Sequence, residues 1–547
     1  MEAPAPDTLA GCRAEALARP MDAAAQFALS NALWAAGERE AAVAGYQRTL
    51  TLDPTLVDAR NNLGNALCSM DRHAEAIAQY RAALLQQPER VELHYNLGNA
   101  LVGAGDIPQS EQSFQRAIAL RPDHAGAQNN LGNALRSMGR HEEAIECYRR
   151  ALTLRPEYFG TLNNIGSALL ALHRPAEAED WFRRTLAARP DYAEAANNLG
   201  GALLALATPE HPTAEEALIW FRRAYTLDPG QVQARFGEAM ALLLAGDFRA
   251  GWRAYESRWL DPSFREGEPE FTAPLWRGET DIAGRTILLH AEQGLGDSIQ
   301  FVRYAPLLRA RGAQVVLSVQ PPLVRLFEGL ADAVLPQGAP LPPHDLHCPL
   351  LSLPHAFATD LADVPASIPY LHADPARMAD WAKRLGPRRC LRVGVAWSGS
   401  PDHPDDAIRS IPAARLLPAL RATGAELHAV QKTIGAADRD GLDGVHLHEF
   451  SDFADTAGLL ACLDLVISVD TSVAHLAGAM AVPVWVLLQT ANDFRWMRGR
   501  TDSPWYPGMR LFRQHDAGDW RPVIDSVRAA LEGGPQHEEE SSLFFEK

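Results

Sequence analysis

Hydrophobic positions in the first half of the chain recur at helical spacing, and the whole pattern returns every 34 residues. Prolines stand at Pro20, Pro54, Pro88, Pro122, Pro156 and Pro190; Pro229 follows after a five-residue insertion near Thr208–Pro212. Leu63-Gly64, Leu97-Gly98, Leu131-Gly132, Ile165-Gly166 and Leu199-Gly200 keep this register, as do the rings of Tyr46, Tyr80, Phe114, Tyr148, Phe182 and Phe221. The pattern predicts pairs of antiparallel helices. The glycine lets one helix approach its neighbour, the ring fills the groove between units, and the proline stops the second helix. The first unit, from about Ala23, has Ser30 at the glycine position. The last, from Val232 to Trp259, has Ala239 there and adds Trp252 and Trp259, as expected of an end unit that faces something other than a repeat.

From Thr286 the period changes. Strands are expected over 287–291, 314–319 and 333–336, with helices over 298–310 and 323–330. After a proline-rich stretch over 340–369 and a helix over 375–385, a second set of strands is expected over 391–397, 426–431, 445–449, 465–469 and 484–488. Helices over 413–421, 456–462, 473–479 and 523–531 alternate with them. This alternation predicts two doubly wound α/β units facing a cleft, with ligands beyond the carboxyl ends of the strands. The domain reading is an N-terminal segment 1–22, repeats 23–260, an ordered linker 261–284 with Phe271 and Trp276 tucked against a domain, α/β units 285–377 and 378–531, and a solvated acidic tail 532–547. The repeats through about Trp259 are expected to fold alone, because each contacts only its neighbours.

Composition narrows the class. The 547 residues are 47% hydrophobic and 22% charged, which suits a folded chain of several domains. A net charge of −17 argues against wrapping nucleic acid. The most apolar stretch, 465–488, contains Asp470, His475 and Pro483, so no membrane span is expected. Met1–Pro20 shows no basic segment followed by an apolar run, and the six cysteines form no C-x-x-C pair. A cytoplasmic protein without a zinc site is the expectation.

The 34-residue unit resembles the tetratricopeptide repeat. Asn62, Asn96, Asn130, Asn164 and Asn198 occupy one position of the first helix in five consecutive units, and Asn65, Asn99 and Asn133 add a parallel row. A carboxamide offers both donor and acceptor to a peptide backbone. The ladder resembles that of O-linked N-acetylglucosamine transferases, which hold extended protein substrates. Asparagines that only bond adjacent helix carbonyls, keeping the stack in register, are the alternative.

Three strand-to-loop junctions carry candidate chemistry. The first strand runs into Glu292-Gln293-Gly294-Leu295-Gly296-Asp297, where glycines permit close backbone approach and Asp297 opens a helix; Asp297 as a plain helix cap is the alternative. The strand 391–397 runs into Ser398-Gly399-Ser400 and a polar loop with His403, Asp405, Asp406, Arg409 and Ser410, in which Arg409 is a candidate phosphate clamp. The strand 465–469 ends in Asp470-Thr471-Ser472-Val473-Ala474-His475, a helix N-terminus suited to phosphate, with His475 about one turn inside. Gln431, at the end of its strand, joins the same group. Ser472 lacks the G-x-S-x-G elbow of a hydrolase. Asp438 and Asp440 read as a solvated turn rather than a metal pair.

At these junctions, over roughly 286–531, the sequence resembles the heptosyltransferase-like glycosyltransferases of family nine, which have the two-domain GT-B fold. Gly296-Asp297 with Pro306 downstream, and Asp470-Thr471-Ser472-Val473-Ala474-His475-Leu476-Ala477, carry the resemblance. It implies that Asp297 is the catalytic base. It also implies a nucleotide-sugar donor held by Gly294, Gly296, Ser398, Arg409, Gln431, Asp470, Thr471, Ser472 and His475, with no metal and no cofactor. Repeats fused upstream of such a domain further resemble protein O-glycosyltransferases, including bacterial enzymes that decorate flagellin. The expected function is inverting sugar transfer to Ser or Thr hydroxyls of a protein held by the repeats, with Asn62, Asn96, Asn130, Asn164 and Asn198 on the acceptor peptide. A non-catalytic scaffold and a glycan-directed transferase are the alternatives.

Overall fold

The computed structural model describes residues 8–207, 213–265, 271–400, 406–490 and 493–533. The insertion near 208–212, His403 and Asp405 of the polar loop, the side chain of Asp440, and the tail from 534 lie outside the described residues. The chain forms two compact units, Met1–Ala202 and Leu203–Lys547.

In the first unit a helix Leu9–Ala18 precedes helix pairs that keep the 34-residue register, such as Val57–Cys68 with His73–Gln86 and Val91–Gly103 with Ile107–Leu120. The recurrent glycine admits the ring of its own unit's second helix. A Cβ on Gly64 would lie 2.6 Å from Tyr80, and one on Gly98 or Gly132 would lie 2.5 Å from Phe114 or Tyr148. In the first pair the small residue has changed sides, and Gly45 of the second helix accommodates Ser30. A further periodic position was not evident from composition. Gly37, Asp71, Gly105, Gly139 and His173, again 34 apart, all have positive φ and make the tight turn inside each pair.

The second unit begins with the repeat-like helices Ala214–Leu227, Val232–Leu244 and Phe248–Tyr255, followed by a 3-10 segment Glu256–Leu260. These helices share one core with the sheets that follow. Trp252 packs edge-on against Phe301, Phe494 and Trp505 at centroid distances of 5.6, 5.1 and 6.3 Å. The division of the chain therefore falls at 202/203, not after residue 260. A fragment ending at Trp259 would expose Trp252, which is fully buried in the whole chain.

Two wholly parallel sheets complete this unit. The first contains β1 (Thr286–His290), β2 (Gln314–Val319), β3 (Ala333–Pro336) and β4 (Leu346–Pro349) in the order 3-2-1-4. The second contains β5 (Arg392–Ala396), β6 (Glu426–Ala429), β7 (Val445–His446), β8 (Leu465–Val469), β9 (Val484–Leu488) and β10 (Met509–Arg513) in the order 10-9-8-5-6-7. Strand order reverses between β1 and β4 and between β5 and β8, which opens a crevice at each carboxyl edge. β4, inside the proline-rich stretch, and β10 were not anticipated. The helix expected over 298–310 is broken into Leu295–Phe301, a 3-10 turn Val302–Tyr304 and Ala305–Ala310, with Pro306 opening the last piece. The one expected over 323–330 is two 3-10 turns, Pro321–Leu323 and Arg325–Phe327. The linker is tied down: Trp276 donates its backbone N–H to His347 (2.8 Å), and Phe271 stacks on the His347 ring at 4.3 Å. Among the described residues no helix is long and apolar enough to cross a membrane.

The exposed His173 adopts φ +55° where most units have glycine. His173→Gly is expected to stabilise the first unit by up to about 1 kcal/mol, read as a shift in urea midpoint. A lower midpoint would mean that the histidine is not strained there.

Candidate active site

A cleft of about 730 Å³ lies where the crevices of the two sheets meet. The loop after β1 brings Gly294, Gly296 and Asp297 to it, the β5 loop Ser398 and Arg409, and β6 Gln431. The junction after β8 and the helix Ser472–Ala479 that follows it add Asp470, Thr471, Ser472 and His475. All ten cleft residues selected from sequence line this one cavity. Lys432, Asp493 and Arg495, not selected, line it too.

Asp297 is the third residue of the helix Leu295–Phe301, not its N-cap. Its Oδ2 accepts the Gly294 N–H at 3.0 Å, and its Oδ1 pairs with the guanidinium of Arg495. Gly296 has no room for a side chain, since a Cβ would lie 2.9 Å from the His475 ring. That ring is buried, stacks on Trp496 (5.1 Å, 25°) and contacts the Tyr506 hydroxyl through Nδ1 at 3.0 Å. Burial, reinforced by Arg495 and Arg303, holds its pKa well below the usual histidine range, which favours the neutral ring.

Arg409 is held by Asp406 (3.2 Å) and by the carbonyl of Asp470 (3.4 Å), and it lies beside Gly399. Gln431 lines the cleft, but its amide organises the wall. Its oxygen accepts the N–H groups of Trp397 and Ser398 at 2.8 and 3.2 Å, and its nitrogen donates to Ser398 Oγ and the Thr433 carbonyl at 2.8 and 2.9 Å. Thr471 is the N-cap of its helix without a side-chain cap bond, and its hydroxyl meets Ser468 Oγ at 3.0 Å. Asp438, read from sequence as a solvated turn, is instead structural. It accepts the Ala413 N–H at 2.9 Å and the Trp397 indole N–H at 3.1 Å. Among the described residues no His, Cys, Asp and Glu group is arranged to hold a metal ion.

The last repeat braces the Asp297 loop from behind. Arg258, fully buried, donates to Glu256 at 2.8 Å, to both oxygens of Glu292 at 3.0 and 3.1 Å, and to Ser352 Oγ at 2.8 Å. Gln293 donates to the Tyr255 hydroxyl at 3.1 Å. Arg495 follows β9 by seven residues, at the same kind of strand end as the other site residues, and that placement is the signal that could have found it.

In the first unit the asparagine ladder is a chain of carboxamides rather than of bonds to helix carbonyls. Asn62 donates to Asn31 (3.0 Å), Asn96 to Asn61 (2.9 Å), Asn130 to Asn99 (2.8 Å), Asn164 to Asn133 (3.1 Å) and Asn198 to Asn163 (3.1 Å). The hydroxyls of Tyr46, Tyr80 and Tyr148 donate to Asn31, Asn65 and Asn133. All five ladder residues are half-buried, and each amide has a second N–H.

Desolvation in the cleft wall, then Asp493, pushes the Asp470 carboxyl up to about 6, against the pull of Arg495 and Arg409. Between pH 4 and 6 the native state therefore keeps a proton that the unfolded chain releases, so stability falls as pH rises through that window. Asp470→Asn is expected to remove this fall. The variant gains about 1–3 kcal/mol over the parent at pH 8 and nothing at pH 4, as urea titrations at the two values would show. A gain at neither pH would mean that the carboxylate is well compensated.

Tetratricopeptide-repeat family models match residues 89–157 and 123–191, 64–105 and 163–232. Protein FlbA of Caulobacter vibrioides is 29% identical over 334 residues, covering 54% of this chain and 54% of that protein. The chain thus spans about half the length of this curated relative. Among solved structures, that of MamA is 26% identical, covering 30% of this chain and 97% of its own, with a TM-score of 0.29. The structure of YrrB, described as a TPR protein with an unusual peptide-binding site, is 23% identical over 34% of this chain and 95% of its own, with a TM-score of 0.31. The family models show a tetratricopeptide-repeat array in this chain, and two parallel sheets follow it.

Proposed function

We propose that the cleft of the second unit transfers a sugar from a nucleotide donor to a Ser or Thr hydroxyl of a protein bound by the repeats. The observation that carries this reading is convergence. Residues chosen at three separate strand ends, around Asp297, Arg409 and Asp470, line a single cavity where both sheets reverse strand order. In this reading the hydroxyl oxygen attacks the anomeric carbon as the bond to the nucleoside diphosphate breaks, with inversion. The proton passes to Asp297. The leaving diphosphate takes the electron pair and faces Arg409 and the first N–H groups of the helix Ser472–Ala479, which supply the countercharge. The GT-B likeness at Gly296-Asp297 and at Asp470–Ala477 supports the assignment.

The repeats serve as the acceptor-binding part. Each ladder asparagine gives an N–H to the unit before it. Asn130, Asn164 and Asn198 make a second donor contact, to Tyr95, Asn129 and Ser167, and the oxygens of Asn62, Asn130 and Asn198 accept from Asn61, Asn129 and Asn197. The acceptor peptide is assigned to the hydrogen-bonding capacity these carboxamides keep beyond those bonds.

One experiment with two arms tests this. Proteins from a host with and without the chain are compared by mass spectrometry to find the modified acceptor, and transfer is then measured with purified components. Asp297→Asn keeps an acceptor for the Gly294 N–H and is expected to fold, but to lose about 10²–10⁴ in transfer rate. Changing Asn96, Asn130 and Asn164 together to alanine should weaken acceptor binding at about 0.5–1.5 kcal/mol per lost bond, while hydrolysis of the donor by water survives. Parental transfer by the first variant would remove Asp297 from the base role. Normal acceptor binding by a folded second variant would confine the ladder to holding units in register.

A further inference from the structure

Arg495 sits in the cleft with a side chain only 12% exposed and divides its guanidinium between two carboxylates. One nitrogen meets Asp297 Oδ1 and the other meets Asp493 Oδ2 at 2.5 Å. With its second oxygen on the Gly294 N–H, Asp297 has both oxygens engaged by donors. An acceptor hydroxyl that reaches this carboxylate finds both of its oxygens already taken. The cleft is also short of positive charge: Asp297, Asp452, Asp470 and Asp493 line it with Arg409, Arg495 and Lys432, the last more exposed on the rim. A diphosphate brought into that cavity meets a carboxylate surplus unless a cation is redirected toward it.

The geometry points to Arg495 as that cation. We infer that it is an exchangeable counter-ion, which leaves Asp297 to bind the diphosphate of the donor and so frees Asp297 to take the acceptor proton. The inference deepens the glycosyltransferase reading and rests on it for the identity of the donor. Guanidinium suits the exchange because it presents the same paired N–H groups to a carboxylate and to a phosphate. The Phe494 ring, 4.4 Å from the Arg495 guanidinium carbon, supports the side chain, and its anchor Asp493 is two residues away. The consequence for the reaction is order: donor binds first, and an acceptor hydroxyl arriving in an empty cleft finds its base occupied.

Inorganic pyrophosphate, which carries the charged part of the donor without sugar or nucleoside, is the probe. Its affinity for the full-length protein is measured by calorimetry, with the variants checked for folding by circular dichroism. If Asp297 and pyrophosphate compete for Arg495, Asp297→Asn tightens pyrophosphate binding by at least 10-fold. Arg495→Gln weakens it at least 10-fold, and the gain from Asp297→Asn vanishes in the double variant. Arg495→Lys, which keeps the charge, retains part of the affinity and guards against loss through misfolding. Unchanged affinity in a folded Asp297→Asn protein overturns the exchange, as does the absence of pyrophosphate binding in all variants. The transfer assay separates the two ideas. Transfer without the Asp297→Asn gain sinks only the exchange, and the gain without consumption of any sugar nucleotide sinks only the glycosyltransferase reading.

Discussion

The cleft depends on the contact at which Gly296 meets the ring of His475. There is no space for even a methyl group between them, so the loop of the first sheet lies directly on the helix that follows β8. That closeness puts Asp297 within reach of Arg495, a partner 198 residues away in sequence. Burial there, with Arg495 and Arg303 nearby, disfavours a charged His475 ring. Stacking on Trp496 and the Tyr506 hydroxyl fix the ring. Packing sets the frame, and the charged groups are arranged within it.

The second support is the buried guanidinium of Arg258. It joins the end of the repeat-like helices to Glu292, the residue that begins the Asp297 loop. Removing one partner from such a network leaves an uncompensated buried charge, at a cost of about 3–5 kcal/mol. The last helix pair is therefore part of the domain that holds the cleft, which explains why its tryptophans depart from the repeat pattern. Trp252 packs against Phe301 and Trp505 instead of against another repeat.

The repeats were legible because their packing is local. A glycine and a ring sixteen residues apart, such as Gly64 and Tyr80, recur often enough to be read without a partner in view. The junction residues were legible for a different reason: in parallel sheets the carboxyl ends of central strands are where side chains converge, and Asp297, Arg409 and Asp470 stand there. What escaped depends on distant contacts. Arg495 looks like any loop arginine until Asp297 is placed beside it. β4 is hidden among prolines because its pairing to β1 is set by residues about sixty positions upstream. The ladder asparagines were visible, but their partners in the preceding unit were not.

The central claim is that the two sheets jointly bind a nucleotide sugar, and hydrogen exchange tests it most directly. The full-length protein is followed by mass spectrometry with each member of a panel of nucleotide sugars. With the true donor, amide protection is expected to rise together in segments 292–298, 398–409 and 470–476, which belong to different strand ends of both sheets. Protection confined to one sheet, or no change with any donor the protein demonstrably consumes, would contradict the account.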